Sequence, residues 1–93
     1  MSISIKNQVN DVFLVTVVNS VTTTHEVTVT DKVLEDLTSG GVDKTCLLEF
    51  SFKFLLGREP NTSILASFNI IVISQYFPEY PEEVRRWCDA RKG

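Results

Sequence analysis

The chain has 93 residues, 43% of them hydrophobic and 23% charged, with a formal net charge of −3. That length holds one domain and is short enough that only about two-thirds of the unfolded surface is buried on folding, so a partner subunit would add stability. The acidic balance disfavours a phosphate-backbone ligand, and no apolar run approaches the roughly 18 residues of a membrane span. With no charged leader followed by an apolar run and a cleavage site, the cytoplasm is the expected compartment. A reduced pair is then expected of the two cysteines, Cys46 and Cys88.

Ile3 and Ile5 alternate with polar residues and predict a short first strand turning through 7–11. Val12 to Val18 is nearly unbroken β-branched and aromatic sequence, as expected of a strand buried on both faces. A short polar linker, 19–21, leads into Thr22–Thr30, where His25, Val27 and Val29 face one way and Thr24, Glu26 and Thr28 the other. These segments make a two- or three-stranded antiparallel meander over 1–30.

At Asp31 the period changes. Val33, Leu34 and Leu37 fall at helical spacing, with Thr30 as N-cap and Gly40-Gly41 as the stop. Asp43 caps the next element, whose period is contested. Cys46, Leu48, Phe50, Phe52, Phe54 and Leu56 alternate as in a strand, whereas Leu47 and Leu55 break that alternation and Glu49 pairs with Lys53 at i,i+4. A central helix, polar only along the Glu49/Lys53 edge, is the reading. Pro60 ends it. A short helix from 62 through Phe68 is predicted next. Asn69 then caps 70–77, where the Ile-Ile-Val-Ile run is ambiguous between strand and helix. Pro78 and Pro81 precede a last helix with Val84, Trp87 and Cys88 on one stripe. The fold class is α+β: one domain, 1–93, with the meander packed on three or four helices from 31–93.

The strings HEVTVT (25–30), SFKFLLGREPNTSIL (51–65) and VISQYFPEY (72–80) resemble a family of small prokaryotic proteins without an assigned function. The resemblance implies a β-hairpin followed by several helices and supports the helix over 44–57. It implies no activity, cofactor or site, and the chain departs from the family's pattern at Gly57.

His25 is the only histidine; its neighbour Glu26 points to the opposite face of a strand, no nucleophile is brought to it, and no Cys/His spacing suits zinc. A structural role is expected for it, as for Arg58 at a helix end, and neither an enzyme nor a cofactor or metal protein is expected. Tyr76, Phe77, Tyr80 and Trp87 gather four aromatics within twelve residues, as core and rim or as a partner-binding surface. The expected role is a small protein-interaction module, self-associating as a homodimer or acting as a subunit or regulator. The alternative is a nucleic-acid-binding regulator in which 62–68 and 70–77 form a helix-turn-helix, although 70–77 carries no Lys or Arg.

Overall fold

The computed structural model describes residues 2–92, except for the side chain of Lys92. Its elements are β1 (Ser2–Val9), β2 (Val12–Val18), β3 (Thr23–Thr28), α1 (Asp31–Thr38), α2 (Lys44–Leu56), β4 (Ser67–Asn69), α3 (Ile73–Tyr76) and α4 (Tyr80–Lys92). Single 3₁₀ turns cover Asn61–Ser63 and Ile70–Val72. The class is α+β, as the change of period predicts, but the sheet has four strands where two or three were expected.

The sheet order is β1-β2-β3-β4, antiparallel through the meander and parallel between β3 and β4. The β1–β2 turn needs only Asn10 and Asp11, since Val9 pairs with Val12. Asn10 takes φ 49°, in the left-handed region that Asn tolerates better than most residues. The register aligns Ile3 with Val17, Ile5 with Val15, Val15 with His25, and Val27 with both Phe13 and Phe68, so these residues share one face.

That face is the core face, and it corrects the reading of Val12–Val18. Phe13, Val15 and Val17 are buried, while Val12, Leu14 and Thr16 are half-buried and Val18 is 44% exposed. A β-branched run specifies an extended backbone without specifying how many faces are covered, and an antiparallel sheet tolerates one wet face.

The helices begin and end where local chemistry directs. Thr30 Oγ1 accepts from the Val33 amide at 3.2 Å to open α1, and Ser39, at φ 60°, closes it by donating to Glu35 C=O. The Asp43 carboxylate accepts from the Cys46 amide at 2.8 Å to open α2. Leu47, Leu48, Ser51, Phe52, Phe54 and Leu55 of α2 are all buried, whereas Glu49 and Lys53 are exposed and paired at 3.0 Å. A helix packed on most sides loses its polar period, which is why strand alternation could mimic it. Lys44 Nζ lies 2.7 Å from both Asp11 and Asp31, joining the β1–β2 turn to α1 and the start of α2.

The predicted helix from 62 through Phe68 is not formed. After Pro60 the chain makes one 3₁₀ turn, extends, and joins the sheet as β4. Of the 70–77 segment, Ile70 through Tyr76 is helical, a 3₁₀ turn running into α3, and Phe77 caps it. In α4, Tyr80, Val84 and Cys88 form the buried stripe, with Trp87 half-buried beside it. No helix among the described residues is long and apolar enough to cross a membrane, and no disulfide joins Cys46 to Cys88.

Candidate functional site

The extended path of 61–66 is held by polar side chains rather than by regular structure. Asn61 Nδ2 donates to Val21 C=O at 2.8 Å and to Thr23 Oγ1 at 2.9 Å. His25, 2% exposed, lies 2.8 Å from Thr23 Oγ1 through Nε2 and 2.8 Å from Leu65 C=O through Nδ1. The proton positions follow from the partners. A carbonyl can only accept, so Nδ1 carries the hydrogen. In the neutral ring Nε2 then accepts from Thr23, whose oxygen accepts in turn from Asn61. The Glu26 amide adds a bond to Ala66 C=O at 2.8 Å.

This latch places Ile64, Leu65 and Phe68 opposite the end of α2 and the 72–77 segment. Between them lies a groove of about 300 Å³. Leu55 lines it from α2, and Val72, Ile73, Tyr76 and Phe77 line it from the far side. Glu59 and Ser63 are its polar members. Leu65 and Tyr76 are 45% and 65% exposed. Glu59 is half-buried and has no ion pair among the described residues. Its neighbour Arg58 is occupied elsewhere: the guanidinium lies 3.6 Å from the Phe54 ring centroid, donates to Phe54 C=O at 3.1 Å, and pairs with Glu79 at 3.5 Å.

The four aromatics singled out in the sequence do not form one surface. Tyr76 and Phe77 line the groove, with Phe77 also edge-on to Phe54 at 5.8 Å. Tyr80 is fully buried, and its hydroxyl lies 2.6 Å from Ser51 Oγ, so it offers no surface to a partner. Ser51 Oγ donates its single hydrogen to Leu47 C=O at 2.7 Å, so the Tyr80 hydroxyl is the donor in the pair. Burial pushes the Tyr80 phenol well above its ordinary value. Trp87 stacks on Phe50 at 4.7 Å with Arg91 over its ring at 5.2 Å. That stack borders a second concavity of about 360 Å³ that also includes Cys46, Glu49 and Lys53.

The latch and the groove's aliphatic wall carry no periodic signal. The one local hint is the apolar pair Ile64-Leu65 following the polar turn 61–63. The helix pair required by the helix-turn-helix alternative is missing its first member, since 67–69 is strand. Both His25 nitrogens are taken up internally, and no group of three or more His, Cys, Asp or Glu among the described residues could hold a metal ion. No protein-family model, curated protein or solved structure matches this chain.

Proposed function

We propose that the chain is a small, non-enzymatic protein-interaction module of the cytoplasm, assembling with another protein or with a second copy of itself. The observation that carries this reading is the groove: a preformed concavity walled mainly by aliphatic and aromatic residues, with Leu65 and Tyr76 left substantially in water. Exposed aliphatic and aromatic side chains around one depression mark contact surfaces more often than isolated surface hydrophobes do. Tyr is moreover among the residues that contribute most to interface energies. The commitment of both His25 nitrogens to the latch further supports a role without acid–base chemistry.

Light scattering tests self-association: a strict monomer at about 100 µM excludes the homodimer, because dimerisation follows mass action. Affinity capture by the full chain, compared with a Tyr76→Glu variant, tests assembly with another protein. The reading expects a captured partner that the variant loses. A protein that stays monomeric and captures nothing would refute it.

A further inference from the structure

The composition of the groove constrains what it can hold. At about 300 Å³ it lies at the lower end of small-molecule pockets, enough for one bulky side chain rather than an extended cofactor. Its lining is aliphatic and aromatic except for Ser63 and the Glu59 carboxylate. Glu59 is the decisive group. It is half-buried, it has no cation among the described residues, and Arg58 is committed to Phe54 and Glu79. An apolar occupant covering Glu59 would strip water from a carboxylate without compensation, which is costly. A cation placed there offsets that cost, and the exposed Tyr76 ring on the same groove adds a favourable face for it, whereas the Phe77 ring already has the Arg58 guanidinium 6.0 Å from its centroid.

We propose, building on the groove's role as a contact surface, that its occupant is a peptide segment of another protein carrying one bulky apolar side chain next to a Lys or Arg. The apolar side chain fills the concavity between Leu55, Ile64 and Phe68, and the cation meets Glu59. The net charge of −3 favours a basic partner at long range as well. It also argues against a second copy here, because the copy would bring the same negative charge.

The test uses the full, isotope-labelled chain and three probes: N-acetyl-phenylalanyl-lysine amide, its phenylalanyl-glutamate counterpart and its alanyl-lysine counterpart. The expected result is saturable amide shifts at Ile64, Leu65, Phe68 and Tyr76 with the first probe, with a dissociation constant on the order of millimolar, as suits so small a ligand. The glutamate probe binds at least about threefold more weakly, the scale of one partly exposed ion pair. The alanyl probe gives no saturable shift. E59Q removes most of the difference between the two phenylalanyl probes, leaving only the small preference that the remaining net negative charge gives at low salt, and Ser63→Trp, at an exposed position on the groove, abolishes binding of both. Equal binding of the two to the unaltered chain, or a preference that E59Q leaves undiminished, overturns the role of Glu59. Shifts centred elsewhere, or none with any probe, overturn the site. If a partner is still captured by Ser63→Trp, the interaction role stands on another surface and this inference falls.

Discussion

Replacing Tyr80 by Phe removes one oxygen from the best-sealed part of the molecule, and its consequence can be worked out from the Ser51 pair. At neutral pH the change deletes a buried hydrogen bond but strands no donor, because Ser51 still donates to Leu47 C=O. The expected loss is about 1 kcal/mol. Ser51→Ala is worse, about 2 kcal/mol, because it leaves the Tyr80 hydroxyl buried without an acceptor. The double variant should lose less than the sum of the two, since removing both partners strands neither.

The pH dependence gives a second, independent signature. The folded phenol sits well above its ordinary value of 10.0 because burial disfavours the phenolate. Above pH 10 the unfolded chain therefore releases a proton that the folded chain retains, and stability falls as pH rises, by about 1.4 kcal/mol per unit for this one group. The contribution is fully present below pH 10 and is lost as pH climbs toward the folded value. Urea unfolding of the unaltered chain and of Y80F between neutral pH and about pH 11 measures the slope difference directly. Parallel curves would refute both the burial and the donor assignment of the Tyr80 hydroxyl.

Lys44 is raised above its ordinary 10.5, chiefly by Asp11 and then by Asp31, so its contribution is full below that value and disappears as pH rises through the folded one. Lys44→Met should cost about 1 kcal/mol in urea unfolding at neutral pH, with D11N costing more than D31N because Asp31 is 93% exposed. The Cys46 thiol is pushed up by its hydrogen bond to the Asp43 carboxylate, so alkylation near pH 8 should be slower than for a free thiol. D43N, which retains a good N-cap residue, should speed that reaction; an unchanged rate would contradict the contact. Nitrogen-15 NMR should find the His25 ring as the Nδ1–H tautomer, and H25N or H25Q should destabilise the protein by about 1–3 kcal/mol through lost buried hydrogen bonds.

What the sequence made legible was whatever is encoded within a few residues. Thr30 and Asp43 are caps because each supplies an oxygen to an amide three positions on. Glu49 and Lys53 identified the solvent edge of α2 because they meet one helical turn apart. The missing parts depend on distant partners. Ser67–Asn69 is too short to show a period and is a strand because β3 lies beside it. Asn61 looks like an ordinary turn residue, and only Val21 and Thr23, about forty positions earlier, make it a latch. In sequence Tyr80 stays open between core and partner surface because nothing near it announces Ser51. The groove combines both difficulties, since its walls come from three segments aligned by those same long-range bonds.

The parallel addition of β4 to an antiparallel meander also has a kinetic meaning. Three strands joined by short connections can pair early, because little chain entropy is lost in closing their turns. The bonds from Val21 and His25 to Asn61 and Leu65 close loops of 40 positions that include all of α2, a larger entropic cost than any turn of the meander. The outer wall of the groove should therefore be the last part to assemble and the first to open, with the Glu26 and 67–69 amides exchanging hydrogen ahead of those in β2. A partner seated in the groove would then do more than occupy it: by holding that wall shut, it would couple its own residence to the closing step of the fold.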